Sequence, residues 1–110
     1  MLKKNLKKKI WVKILKKINE LKLGMTDVEV KGEIVDMSEP RDVRTKFGYT
    51  TRVATATLED DSGKILLPLW GNKIKEVNIG DIVEIKGGYI TEFRGDLQLN
   101  VPRKGEIKVV

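Results

Sequence analysis

From Val28 onward the apolar residues recur at every second position, in short runs that end at glycine, proline or aspartate. This constrains the fold more than any other feature of the chain. A period of two puts one set of side chains on one side of a strand and the next set on the other. Val28, Val30 and Ile34 share one parity, with Glu29, Lys31 and Glu33 on the other, so a strand is expected over about 28–38. Gly32 interrupts the apolar set and marks a bulge or tight bend. A polar loop, Glu39 to about Tyr49, follows. Further strands are expected over about 50–59, 64–70, 82–91 and 97–101, and a short one over 106–110. Asp60-Asp61-Ser62-Gly63 and Arg94-Gly95-Asp96 are turns. Residues 72–78 form a short helix or a single turn capped by Asn72.

The first 22 residues follow a different period. Ile10, Trp11, Ile14, Leu15, Ile18 and Leu21 fall on one side of a helical wheel, opposite Lys9, Lys13, Lys16, Lys17 and Glu20. An amphipathic helix over Ile10–Leu21 is expected, with Gly24 as its stop and residues 1–9 fraying. Lysines interrupt its apolar residues and no cleavage site follows, so it is not a secretory signal. A cytoplasmic location is the expectation.

Charge divides at the same place. Residues 1–22 hold nine lysines and one acid, a net of +8. Residues 23–110 hold 13 basic and 15 acidic residues, a net of −2, so the chain's +6 belongs to the N-terminal arm. The expected organisation is a basic arm, 1–22, and one domain, 23–110. The chain has no cysteine and no histidine, which removes disulfides, thiolate sites and the usual general base. No pair of carboxylates has a spacing that indicates acid/base work. The expectation is a non-catalytic binding module with no cofactor and no metal.

Five strands with a helical element between the third and fourth fit a small all-β barrel. The five-stranded Greek-key OB-fold commonly carries a helix there. An SH3-like barrel and an unrelated β-meander fit the strand count as well.

Alternation then selects a surface. Ile65, Leu67 and Leu69 face inward, so Leu66, Pro68 and Trp70 project outward. Gly87-Gly88 reads as a bulge that reverses parity, so Tyr89, Thr91 and Phe93 point outward together. Asn100 and Gln98 face out from the strand that follows. Arg41, Arg44, Lys46 and Phe47 lie in the loop after the first strand, Arg52 begins the second, and Arg94 stands beside Phe93. Rings that stack on bases, interleaved with cations that track phosphates, are what single-strand binding requires. The other reading of these residues is ordinary. A ring can be covered by the N-terminal helix, and loop arginines can be solvated and paired with Glu39 and Asp42.

Four segments carry a resemblance: LKLGMTDVEVKGEIV at 21–35, TRVATATLEDDSGKILLPLWG at 51–71, IGDIVEIKGGY at 79–89 and FRGDLQLNV at 93–101. As an ordered set they resemble the archaeal single-stranded DNA-binding proteins of the replication protein A type. They are similar also to the short human single-stranded DNA-binding proteins. The resemblance implies an OB-fold that stacks single strands on the rings of Trp70, Tyr89 and Phe93, with support from the loop around Arg44 to Tyr49. It implies a role in DNA replication, repair or recombination. The alternatives are an RNA- or tRNA-binding OB module and a protein-interaction module acting through the N-terminal helix. That helix could also mediate self-association. A membrane partner is not expected, since the apolar face of the helix has a use against the barrel.

Overall fold

The computed structural model describes residues 15–110. Seven strands follow one another: β1 (Val28–Met37), β2 (Arg41–Arg44), β3 (Thr50–Asp60), β4 (Gly63–Trp70), β5 (Ile82–Phe93), β6 (Asp96–Asn100) and β7 (Glu106–Val109). Five of them close a barrel in the order β1-β3-β4-β6-β5, with β1 also pairing β5. All rungs of the barrel are antiparallel except β4 with β6, which run parallel and meet at Leu66 and Gln98. This strand order and the one parallel seam are those of the OB-fold. β2 and β7 lie off the closed ring, on β3 and β5 respectively.

Closure depends on β1 serving two neighbours. Glu33 pairs with Glu59 of β3 and with Ile82 of β5. Gly32 sits at that crossing, where a Cβ would stand 2.7 Å from the Glu59 carbonyl oxygen. Only glycine admits so close a backbone approach. The bulge expected at Gly87-Gly88 is present. Val28 pairs with Gly88 and Val30 with Ile85, so β5 has one residue more than β1 between those rungs. Gly87 has φ +70°, and the extra residue turns Ile90 inward after Ile85.

Among the described residues the buried core is built of aliphatic side chains alone. Val30, Ile34, Leu58, Leu67, Leu69, Val83, Ile85 and Leu99 are fully buried, and Val77 and partly buried Ile74 pack against them. Each buried leucine or isoleucine contributes roughly 1.5–3 kcal/mol of hydrophobic stabilisation. The turn after β4, Gly71–Glu76, is a 3-10 turn with no side-chain cap, so Asn72 does not act as one.

Two further expectations are corrected. The loop expected over Glu39–Tyr49 contains β2, which pairs with β3 from Arg41–Val53 to Arg44–Thr50. Three charged residues around one valine gave this strand no apolar signature. The N-terminal helix is not formed over the part that can be seen; Ile10–Ile14, with Trp11 and residues 1–9, lie outside the described residues. Lys17 is extended, and a single 3-10 turn, Ile18–Glu20, follows. The backbone donors an α-helix needs are taken elsewhere. The Lys16 N–H bonds the Glu29 carbonyl at 2.8 Å, Ile18 N–H bonds Asp60 Oδ2 at 2.9 Å, and Asn19 N–H bonds Ser62 Oγ at 3.0 Å. The apolar spacing still has a use, because Ile18 and Leu21 are buried against the barrel.

The Asp60–Gly63 turn is therefore a clasp. Asp60 Oδ1 accepts from the Ser62 N–H at 2.7 Å, the Ser62 hydroxyl at 2.6 Å and the Gly63 N–H at 3.1 Å. Lys17 Nζ meets Asp61 Oδ1 at 2.7 Å. Partial burial alone would raise the Asp60 carboxyl, but the Ser62 hydroxyl and the three backbone donors outweigh it and hold the group below its ordinary value.

Candidate nucleic-acid interface

On the outer face of the barrel the rungs place side chains in rows. Directly opposed residues of a strand pair project to the same side. Arg41 opposes Val53, and Val53 opposes Trp70; two rungs on, and so on the same face, Thr55 opposes Pro68. Across the parallel seam, Tyr89 opposes Asn100 and Thr91 opposes Gln98. Between these two sets runs a shallow groove of about 240 Å³.

Of the sequence-predicted residues, the groove brings together Arg41, Trp70, Phe93 and Asn100. It also contains four that the parity argument did not single out as site residues: Val53, Thr55, Pro68 and Gln98. Three of the four were legible as outward positions. Thr55 alternates with the inward Ala54 and Ala56, Pro68 stands between outward Leu66 and Trp70, and Gln98 precedes inward Leu99. Val53 was hidden by its own hydrophobicity. It is buried from the groove side, beneath the Arg41–Trp70 row.

Tyr89 lies beside the groove on the next strand, opposite Asn100. The Asn100 amide is fixed there, with Nδ2 donating to Thr91 Oγ1 at 2.8 Å. Phe93 ends β5, and the two residues after it make the turn into β6. Arg94 at φ +53° and Gly95 at φ +87° give the mirror-image turn suited to a tight hairpin. Arg94 Cζ lies 5.0 Å from the Phe93 ring centroid, so the cation covers one face of the ring.

The other predicted residues are on the β2–β3 hairpin, and its register separates them. Asp42 opposes Arg52 and Arg44 opposes Thr50, one residue out of phase with the Arg41–Val53 rung. Arg52 and Arg44 therefore project from the face of the ribbon opposite to Arg41. Arg52 Nε also stands 3.4 Å from Asp42 Oδ1. Among the described residues no carboxylate is in ion-pair contact with Arg41, Arg44 or Arg94. Lys46 and Phe47 lie at the hairpin tip, with Nζ 5.6 Å from the ring centroid. Tyr49, which the sequence reading placed only within the loop, has the parity of Thr51 and Val53 and so extends the Arg41 side.

One property unites the rings. The five aromatic side chains among the described residues, Phe47, Tyr49, Trp70, Tyr89 and Phe93, are 39% to 76% exposed, and none enters the core. Rings are ordinarily the largest hydrophobic contribution to a core. Here the barrel is filled without them. The sequence expectation that Trp70 projects outward is met, and among the described residues no helix covers it.

Comparison with known proteins places the fold that carries these residues. A family model described as an OB-fold nucleic acid binding domain matches residues 28–109. The chain is 34% identical over 91 residues to the single-stranded DNA binding protein Ssb of Saccharolobus solfataricus, covering 83% of this chain and 61% of that protein. It is 34% identical over 83 residues to Replication factor A of Methanothermobacter thermautotrophicus, covering 74% of this chain and 10% of that one. It thus spans less than two thirds of the first relative's length and a tenth of the second's. Among solved structures, an OB domain from Thermoplasma acidophilum superposes with a TM-score of 0.76 at 27% identity, covering 87% of this chain and 86% of that one. The second OB-fold domain of replication protein A from Methanococcus maripaludis does so at 0.73 and 26%, covering 88% and 95%.

Proposed function

This chain belongs to the OB-fold nucleic acid binding domain family, and on that premise we propose that it binds single-stranded DNA with little regard to sequence. Bases stack on Trp70 and Phe93 in the groove and on Tyr89 beside it. Arg41 and Arg94 hold the phosphates on either side, and Asn100 hydrogen-bonds a base or sugar edge. Lys46, Phe47 and Tyr49 extend the path along the β2–β3 hairpin, while Arg44 lies on the far face of that ribbon and meets only a strand that wraps its edge. Arg52, turned to the other face of that ribbon and shared with Asp42, contributes least. The function is capture without catalysis, in the service of replication, repair or recombination.

The observation that carries this reading is the exclusion of every described aromatic ring from an otherwise well-filled core. An exposed ring loses the stabilisation that burial would give it, and unpaired bases supply what the fold withholds. A stacked base is worth roughly 1–3 kcal/mol, and every base has a face to stack, so the binding tolerates sequence. The relatives named single-stranded DNA binding protein and Replication factor A support the choice of ligand.

The test is tryptophan fluorescence. A Trp11→Phe background leaves Trp70 as the one indole. Oligo-dT should quench it in a saturable way. A duplex of the same length should bind more weakly, since its bases are already stacked. A matched RNA oligomer distinguishes the two single-strand ligands; tighter RNA binding would assign the groove to RNA. Absence of quenching at low salt with both oligomers would overturn the reading.

A further inference from the structure

β7 (Glu106–Val109) pairs with β5 along one edge, and among the described residues no strand pairs with the other. An open groove of about 510 Å³ is lined by Gly105–Lys108 together with Lys73 and Glu76, so this stretch of the chain borders open space. An unpaired edge is a template for another strand unless something blunts it. Its hydrogen-bonding pattern follows from the antiparallel rungs. The Val110 N–H donates to the Ile82 carbonyl at 2.9 Å. Backbone groups alternate in direction along a strand, so Lys108 and Glu106 also direct theirs to β5. Ile107 and Val109 direct theirs outward, to the free edge.

The side chains on this sheet form rows of alternating charge. Lys31 of β1 opposes Glu84 of β5, and Glu84 opposes Lys108 of β7. Two rungs along, on the same face, Lys86 of β5 opposes Glu106 of β7. The two rows therefore end at the free edge with opposite signs, two residues apart. A strand that continues both rows must present an acid opposite Lys108 and a base opposite Glu106. β7 itself does so when it is turned antiparallel about Ile107.

We propose that β7 is the interface of a homodimer, in which two copies pair their β7 edges about a two-fold axis at Ile107. Ile107 of each copy bonds Ile107 of the other through both backbone groups. The Val109 N–H of each bonds the Gly105 carbonyl of the other. The Gly105 N–H is already held by the Pro102 carbonyl at 2.8 Å, so four backbone bonds form in all. Glu106 of each copy opposes Lys108 of the other in a non-hydrogen-bonded pair, where side chains approach most closely. The exposed Val109 is covered beside Gly105 of the second copy. Neither β7 nor Gly105 lines the groove of Trp70 and Phe93, so two binding faces remain open in the dimer. Four residues of edge make a small interface, and dissociation is expected in the range of about 10–100 μM.

The test is sedimentation velocity and native mass spectrometry of the full chain without DNA, across that concentration range at low salt. The wild-type chain should convert to dimer as concentration rises. Glu106→Lys and Lys108→Glu each set like charges together in both reciprocal pairs, and each alone should be monomeric at concentrations where the wild type is mostly dimer. Mixed together, the two variants restore opposite signs in both pairs and should form a heterodimer. Ile107→Pro removes an outward N–H without disturbing the β5 ladder and should also abolish the dimer. Oligo-dT quenching of each variant reports that the barrel and groove are intact, so a failed dimer and a failed DNA site give different results. A wild type that stays monomeric, a dimer that survives Ile107→Pro, or single variants that do not heterodimerise would overturn the proposal.

Discussion

The Arg94 guanidinium stands 5.0 Å from the centre of the Phe93 ring, on a residue whose own backbone is left-handed at φ +53°. Glycine or asparagine is the usual occupant of the first position of such a turn. An arginine there carries about 1 kcal/mol of strain. Replacing it by glycine relieves that strain and removes a phosphate contact and the cover of Phe93. Arg94→Gly should therefore raise the melting temperature and weaken oligo-dT binding together, read by calorimetry and by fluorescence titration. A variant that is both less stable and unchanged in binding would contradict this account of the turn.

Truncating a groove ring and truncating a core residue should have opposite signatures. Trp70→Ala and Phe93→Ala should each weaken single-strand binding by about 1–3 kcal/mol with little effect on unfolding. Leu67→Ala should cost about 2–5 kcal/mol of stability while the folded fraction binds normally. Chemical denaturation and titration of the same samples separate the two effects.

Arg41 and Arg52 are eleven residues apart in sequence and on opposite faces of one ribbon. Each phosphate neutralised on a single strand contributes a slope of about −0.7 in log affinity against log salt. Arg41→Ala should flatten the slope by about that amount, whereas Arg52→Ala should leave it nearly unchanged. Equal effects would mean that the strand wraps the hairpin on both sides.

The lysine-rich start can be tested in the same way. Deleting residues 1–9 removes five lysines and leaves Ile18 and Leu21 in place. If the arm reaches phosphate, the deletion flattens the salt slope and lowers affinity at low salt, with saturating quench unchanged. An unaltered slope would leave all phosphate contacts to the groove and the β2–β3 hairpin.

The clasp at Asp60 sets an acid limit. Its carboxyl is held below the ordinary value of 3.8 in the folded chain. Its contribution is therefore present above about pH 3.8 and is lost as pH falls through the lower folded value. Asp60→Ala should lower stability at pH 7 by about 1 kcal/mol, as loss of a side-chain cap does. The gap between variant and wild type should close on acidification below 3.8. Lys17 is raised from 10.5 by its hydrogen bond and charge pairing with Asp61, so that exposed contact persists below pH 10.5 and fades above it. Thermal melts across pH measure both.

The amino-acid sequence by itself determined most of the strands and which way their side chains face. Alternation over 28–37, 50–60 and 63–70 is a local property, because a strand's two faces are decided by neighbours two residues apart. Turn residues at 60–63 and 94–96 and the glycines at 87–88 are equally local, and all lie where they were expected. The outward direction of Trp70, Tyr89 and Phe93 followed from the same arithmetic. Tertiary structure decided what depends on contacts between distant segments. Residues 15–21 have helical spacing, yet Asp60, Ser62 and Glu29 take their backbone donors, and a 3-10 turn results. β2 exists because β3 offers its edge to a segment with almost no strand pattern of its own. The separation of Arg41 from Arg44 and Arg52 was fixed by pairing register, which a list of basic residues does not contain. Periodicity tells which way a side chain points from its own strand. Only the rungs between strands tell which side chains then stand together.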